Sequence, residues 1–169
     1  MAKKLYIGCD DAGCALKRKI IAHLEKRGCA YEDCGSEELP VRYPYYAAAV
    51  AAAVSRGEAD RGILVCGSGV GISIAANKYP GVRAALCTSV TMARLTRGHN
   101  DSNILCLGGR LLGEWEAIDI VDAWLDTPYD GGHHQPSLDL IAEMERAMYN
   151  GTLWEKEPPV SDFRWPEEA

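Results

Sequence analysis

The sequence lacks any apolar run that approaches the roughly 18 to 20 residues needed to cross a membrane. Its opening residues, "MAKKLYIGCD", also hold too short an apolar stretch for a secretory signal peptide. These two absences predict a cytoplasmic protein with no membrane partner.

Concentrated positive charge is absent as well. Lys and Arg cluster nowhere beyond the triplet Lys17-Arg18-Lys19, and the formal net charge is -6. Nucleic-acid-binding surfaces need a patch or stripe of positive charge. We therefore expect no nucleic-acid partner, and we interpret the triplet as the solvated face of a helix.

Paired cysteines are missing too, because the seven cysteines are odd in number and form no CxxC. Disulfide frameworks and structural zinc sites both depend on such pairing. We expect most of the thiols to be small core residues in a reducing compartment. His133 and His134 are adjacent but have no cysteine or carboxylate at metal-ligand spacing, so no metal site is predicted.

What the sequence does contain is a repeated alternation of short apolar runs with helical stretches. The predicted strands are "KLYIGC", "AYEDCG", "RGILVCG", "VRAALC" and "SNILCLGG", and helical segments separate them. Five such alternations predict right-handed crossovers and a parallel sheet that is covered on both faces. The expected fold is α/β, a doubly wound, Rossmann-like three-layer sandwich with a five-stranded parallel sheet.

The chain beyond Asp130 follows a different pattern. A polar loop leads into an extra C-terminal helix that ends at Asn150-Gly151 and has no strand after it. We expect one domain over residues 1–150 and a C-terminal extension over 151–169. Because Trp154, Phe163 and Trp165 are unfavourable in water, the extension is predicted to dock on the domain or on a partner subunit.

Ligands of doubly wound sheets bind beyond the carboxyl ends of the strands, where this chain carries "CGSGVG", residues 66–71. Its glycines allow a sharp turn with N–H groups pointing inward, which suits an oxyanion or a phosphate. Cys66 and Ser68 add a thiol and a hydroxyl. Ile72 stands where a dinucleotide fingerprint requires glycine. A purely structural turn would have the same spacing.

Two further stretches carry candidate groups. The segment "RGHNDSN" is predicted to be a polar loop near the strand ends. There His99 can titrate near neutral pH, as general acid–base catalysis requires, although a surface histidine at a helix cap would look the same. Asp10 and Asp11 place two carboxylates at a strand-to-helix junction. Anions bind at such helix starts, and neighbouring carboxylates repel them.

Seven stretches occur together and in order: "GCD", "YPYYA", "CGSGVGISIAANK", "GVRAALC", "HNDSN", "GGR" and "VDAWL". This set resembles the type B ribose-5-phosphate isomerases and the related galactose-6-phosphate isomerase subunits, over about residues 4–149. The resemblance implies a metal-independent aldose–ketose isomerase that acts through an enediolate without a cofactor. It also implies a homodimer or dimer of dimers with active sites shared between subunits.

The resemblance assigns roles to particular residues. Cys66 matches the base that moves the proton between C1 and C2, Ser68 matches the assisting hydroxyl, and His99 matches the ring-opening acid–base. The backbone that stabilises the enediolate corresponds to Gly67, Gly69, Val70 and Gly71. Contacts to sugar hydroxyls correspond to Asp10, Tyr43 and Asn100.

The phosphate-binding positions depart from the family pattern. Asp11 stands where the family usually has histidine, and His133 and Ser137 stand where it usually has arginines, whereas Arg110 is kept. Each charge-assisted phosphate contact contributes about 1.5 to 3 kcal/mol. Two interpretations follow: the same isomerisation acts on a sugar that is not phosphorylated or is phosphorylated differently, or Arg42 and His133 replace the missing contacts. In the first case Asp11 accepts hydrogen bonds from sugar hydroxyls or pairs with Arg42 or His133.

Two other classes of protein fit parts of the pattern. Receiver domains of signalling proteins also carry paired acids after the first strand, but they need an aspartate and a lysine where this chain has Cys66 and Arg110. A non-catalytic sugar-binding module or regulatory subunit would need neither a base nor a ring-opening group. The presence of both Cys66 and His99 favours the enzyme.

Overall fold

The computed structural model describes residues 4–35 and 41–155. Within these ranges the chain forms five strands and six α-helices, with short 3₁₀ turns at Asp11–Gly13 and Gly132–His134. The strands are β1 (Leu5–Cys9), β2 (Tyr31–Asp33), β3 (Gly62–Cys66), β4 (Ala84–Leu86) and β5 (Ile104–Gly108). The helices are α1 (Cys14–Lys26), α2 (Tyr43–Ser55), α3 (Val70–Ala76), α4 (Val90–Asn100), α5 (Glu114–Asp126) and α6 (Gln135–Tyr149).

All strand pairs are parallel, and the sheet has the order β2-β1-β3-β5-β4. Every residue of β3 and β5 is buried, as expected for central strands that helices cover on both faces. The sheet therefore has a carboxyl edge, where all strands end, and an amino edge, where all begin. This arrangement confirms the predicted five-stranded doubly wound fold.

Each face of the sheet carries its own core, and the side chains of β3 alternate between them. Ile63 and Val65 pack with residues of α1, α4 and α5, whereas Leu64 and Cys66 pack with residues of α2 and α3. Five of the seven cysteines are buried, in agreement with the prediction that most are core residues. The Cys66 side chain is thus directed toward the α2–α3 layer.

Small residues let α2 approach the sheet closely. A Cβ atom added at Gly62 would lie 2.4 Å from Val50 Cγ1, and one at Gly8 would lie 3.3 Å from Val50 Cγ2. Ala47 and Ala51 of the same helix are fully buried. This close packing fixes the start of α2, and with it Tyr43, at the carboxyl edge.

The interpretation of Lys17-Arg18-Lys19 as one solvated face is wrong for Lys17. Its side chain is buried, and its Nζ atom lies 2.7 Å from both carboxylate oxygens of Asp33 in β2. Successive residues of an α-helix point about 100° apart, so three in a row cannot share a face. The buried ammonium ties α1 to β2, an edge strand.

The predicted extra C-terminal helix is present as α6, and none of its residues is fully buried. Its apolar residues Leu140, Ile141 and Met148 are exposed. After it, Trp154 Nε1 donates a hydrogen bond of 3.1 Å to Glu143 Oε1 of α6. Phe163 and Trp165 lie outside the described residues, and the predicted boundary at residue 150 stays a prediction. Across the described ranges, helices of the length and apolarity needed for a membrane span are absent.

We expect Asp33→Asn to lower the free energy of unfolding by about 2 kcal/mol, because it leaves the buried Lys17 ammonium without its carboxylate. Breaking a wholly buried pair costs roughly 3 to 5 kcal/mol, and the Asp33 side chain is 36% exposed. Urea denaturation measures the change. The matched control is Glu32→Gln, which removes the neighbouring exposed pair with Lys4 and should change little. Equal losses in the two variants would contradict the role of Lys17.

Candidate active site

The chain after β1 folds back against the end of β3. Asp10 Oδ1 accepts a 3.1 Å hydrogen bond from the Gly13 N–H, which closes the short 3₁₀ turn. A Cβ atom added at Gly13 would lie 2.5 Å from the Val65 carbonyl oxygen, so only glycine allows this approach. The turn thereby places Asp10 beside the carboxyl end of the central strand, with Asp11 exposed at its start.

The loop between β3 and α3 wraps around the Cys66 thiol. Gly69 has a φ of +78°, a conformation that favours glycine, and its N–H donates a 3.1 Å hydrogen bond to Cys66 Sγ. The Val70 N–H lies 3.3 Å from Ser68 Oγ, which accepts from it. The first turn of an α-helix leaves N–H groups without intrahelical partners. The loop therefore places one N–H donor on the thiol and a second on the neighbouring hydroxyl.

Two side chains from other elements flank this loop. A Cβ atom added at Gly71 would lie 2.7 Å from Tyr43 Cζ, so the tyrosine ring lies directly against the helix start. At the other end of the loop, the Arg110 N–H donates to the Gly67 carbonyl at 3.0 Å, and the Arg110 side chain passes along Gly67. Arg110 thus contacts the beginning of the loop, and Tyr43 contacts its end.

The carboxyl group of Asp10 is mostly shielded from water, with 9% of the residue exposed. Burial raises the pKa of Asp10, and the charge of Asp11 raises it further. The N–H groups of Gly13 and Ala12 and the guanidinium of Arg110 act in the opposite direction but do not cancel the effect. Asp10 therefore keeps its proton to a higher pH than an ordinary aspartate.

The other predicted residues lie at the opposite, amino edge of the same chain. α4 begins just after its capping residue Ser89 on the carboxyl edge and runs back along the sheet, so that His99 is separated from that edge by about 15 Å of helix. Asn100 follows it and lines a groove of about 610 Å³ beneath α6. His133 lies in the 3₁₀ turn before α6, beside His134.

The prediction of a polar loop around His99 is wrong. Residues up to Asn100 belong to α4, which ends where Asp101 adopts a left-handed conformation with φ of 45°. Arg97 is buried and donates hydrogen bonds to Asp101 Oδ1 and to the Ser102 carbonyl. The polar composition concealed a helix whose last turn is held by these charge-assisted bonds.

A histidine cluster surrounds His99. The rings of His99 and His134 are stacked with centroids 4.1 Å apart, and His133 packs on His134 at 3.9 Å. Desolvation, followed by the charges of His133 and His99, lowers the pKa of His134. Asp130 lies next to the cluster, although the sequence spacing had indicated no carboxylate near these histidines. The turn at Gly131-Gly132 brings Asp130 close to these histidines, and the sequence spacing does not reveal that turn.

The described structure thus divides the predicted site residues into two groups. The carboxyl edge brings together Cys66, Ser68, the glycines of the loop, Val70, Asp10, Asp11, Tyr43 and Arg110. The amino edge carries His99, Asn100 and His133. Their functional roles stay predictions.

Fold and site define the class as a doubly wound α/β protein with a buried thiol at the start of a helix, beside a carboxylate and an arginine. Residues 5–141 match the family described as Ribose/Galactose Isomerase. The chain belongs to this family.

Individual proteins agree with the family match. The chain is 49% identical over 145 residues to ribose-5-phosphate isomerase B of Escherichia coli K12, an alignment that covers 85% of this chain and 97% of that protein. A solved structure of the Clostridium thermocellum enzyme of the same name superposes with a TM-score of 0.82 at 51% identity, covering 85% of this chain and 97% of that one. The Mycoplasma genitalium enzyme, solved with bound ribulose 5-phosphate, gives a TM-score of 0.83 at 39% identity, covering 86% and 98%.

We expect Asp10→Asn to stabilise the protein increasingly as the pH rises. The native pKa of Asp10 lies above the ordinary 3.8, so ionisation costs folding free energy above that pH and nothing well below it. Asparagine removes this cost and still accepts the Gly13 N–H bond. Denaturation of both proteins from pH 3 upward, at matched concentrations, measures the difference.

The control for this experiment is Asp119→Asn, which removes an exposed carboxylate on α5. Because this side chain is exposed, we expect the substitution to change the free energy of unfolding little at each pH tested. A pH-independent difference for Asp10→Asn would contradict the raised pKa.

Proposed function

We propose that the chain interconverts ribose 5-phosphate and ribulose 5-phosphate, as an aldose–ketose isomerase that works through an enediolate. The observation that carries this proposal is the buried Cys66 thiol with the Gly69 N–H at 3.1 Å, at the carboxyl edge of the sheet. Membership of the family and the names of relatives at 49% and 51% identity support the same reaction.

Enediolate chemistry needs a base beside C2 and donors beside the oxygen that becomes negative. Cys66 as thiolate takes the C2 proton and returns it to C1, while a proton exchanges between the oxygens of C1 and C2. Ser68 offers a hydroxyl to that exchange. The N–H groups in the first turn of α3 stabilise the developing oxyanion, since they lack intrahelical partners.

The flanking side chains position the sugar. Asp10, with its raised pKa, and Tyr43 exchange hydrogen bonds with hydroxyl groups. Arg110 supplies positive charge next to the loop, and Asp11 supplies negative charge at its mouth. Arg42, the exposed residue that caps the start of α2, adds a second cation at the same edge. Two arginines beside an exposed carboxylate bind phosphate less tightly than the larger set of cations usual in the family would.

Ring opening requires a second copy of the chain. His99 lies at the amino edge, so it cannot reach Cys66 of its own chain. A partner whose amino edge packs against the carboxyl edge of this chain can bring its own His99 to Cys66. Exposed apolar side chains on α3 and α4, among them Val70, Ile74 and Leu95, provide surface that such a partner would bury. We infer a homodimer, or a dimer of dimers, with shared sites, in the cytoplasm.

The activity is tested with ribose 5-phosphate and with ribose at equal concentrations, by following formation of the ketose. We expect conversion of ribose 5-phosphate, and we expect Cys66→Ala to reduce it by about 10²- to 10⁴-fold, since general-base catalysis contributes about that much. The matched control is Cys87→Ala, which removes a buried thiol just after β4 on the other face of the sheet and should leave the rate nearly unchanged.

Two results would overturn this assignment. Faster conversion of ribose than of ribose 5-phosphate would establish the first interpretation, in which Asp11 binds hydroxyl groups of an unphosphorylated sugar. Binding of sugars without any isomerisation by the folded wild-type protein would indicate a non-catalytic sugar-binding subunit.

If each active site combines residues of two subunits, two variants that are inactive alone should regain activity when they form a mixed dimer. In a dimer of Cys66→Ala with His99→Asn, one of the two sites keeps both Cys66 and His99. Random pairing after co-refolding should then recover about a quarter of the wild-type activity.

The control mixes Cys66→Ala with Ser68→Ala, whose lesions lie on the same edge, and should recover nothing above the two parents. Hetero-oligomers of the first pair that form but stay inactive would contradict a shared site.

A further inference from the structure

Three potential metal-ligating side chains meet at the amino edge, around the His99 ring. The ligand atoms of His99, Asp130 and His134 all lie within 4.8 Å of one another. His99 comes from the last turn of α4, and the other two flank the turn that leads into α6. Residues from separate elements therefore converge on one point.

The backbone holds Asp130 in this position. Its N–H donates a 2.9 Å hydrogen bond to the Gly98 carbonyl. A Cβ atom added at Gly98 would lie 2.7 Å from Asp130 Oδ2, so the missing side chain makes room for the carboxylate. Gly131 and Gly132, with φ of +64° and +56°, then turn the chain sharply enough to return His134 to the same place.

We propose that His99, Asp130 and His134 bind one divalent first-row transition-metal ion, with Zn²⁺ as the representative ion, and that bound metal inhibits the enzyme. The inhibition rests on the proposed function, because it follows from His99 acting in ring opening. A metal ion occupies the imidazole lone pair that would otherwise accept a proton.

The chemistry of the three ligands suits such an ion. Two imidazoles and a carboxylate with a fourth, open position form a common zinc coordination set. Ligand atoms on a tetrahedral zinc ion lie about 3.3 Å apart, given bond lengths of about 2.0 to 2.1 Å. Metal binding in this proposal therefore requires the stacked rings of His99 and His134, both partly exposed, to rotate and close the present separation of up to 4.8 Å.

Binding is measured by titrating the metal-free protein with Co²⁺ and recording its visible ligand-field absorption, and by calorimetry with Zn²⁺. We expect one ion per chain. Asp130→Asn and His134→Phe should each weaken binding at least about tenfold, because each removes a ligand. Phenylalanine at position 134 still provides an aromatic ring to stack on His99.

Two control variants separate this site from other metal-binding groups. His23→Phe removes a histidine that lies 2.6 Å from Asp122 between α1 and α5, and it should bind Co²⁺ like the wild type. Cys66→Ala should also bind normally, which excludes the site thiol as the ligand. Loss of binding in either control, or unchanged binding in Asp130→Asn, would overturn the proposal.

The inhibitory effect is measured separately. Zn²⁺ should inhibit wild-type isomerisation of ribose 5-phosphate, and EDTA should reverse it. Asp130→Asn should keep its basal rate and need at least about ten times more Zn²⁺ for equal inhibition. Metal binding at these residues in a protein without isomerase activity would refute the proposed function alone. An active enzyme that binds no Co²⁺ would refute the metal site alone.

Discussion

The parallel pairing of β3 with β5 is the constraint on which the rest of the structure depends. Both strands are buried on both faces, and Cys66 stands opposite Gly108 at their carboxyl ends. The pairing continues into the loops, since the Gly109 N–H donates to the Cys66 carbonyl at 2.8 Å. A shift of one residue in this register would turn the Cys66 side chain to the opposite face.

The common direction of the strands also explains why Cys66 and His99 lie at opposite edges of one chain. Helices that follow parallel strands begin at the carboxyl edge, which is where thiol, carboxylate and N–H donors gather. Each of these helices then runs back to the amino edge, and His99 lies there because it belongs to the last turn of α4. In the proposed function a second chain supplies what this geometry separates, and the metal site uses the same remote edge.

Local patterns were sufficient for the elements and for the carboxyl-edge group. Alternating apolar runs placed all five strands, and the glycines of "CGSGVG" indicated the turn that now surrounds the thiol. Patterns failed where a charged residue was buried against a carboxylate. Lys17 is buried against Asp33 of another element, and Arg97 is buried against Asp101 one helical turn away, so composition alone made both segments look solvated.

The sequence by itself determined the doubly wound sheet, the family and the identity of the candidate thiol, because hydrophobic period and glycine spacing act over a few residues. Only the tertiary structure decided that Asp10 is buried with a raised pKa, that His99 and Cys66 lie on opposite edges, and that Asp130 and His134 meet His99. These properties depend on which distant residues pack together, and a residue's own neighbours in the chain do not encode its desolvation or its through-space contacts.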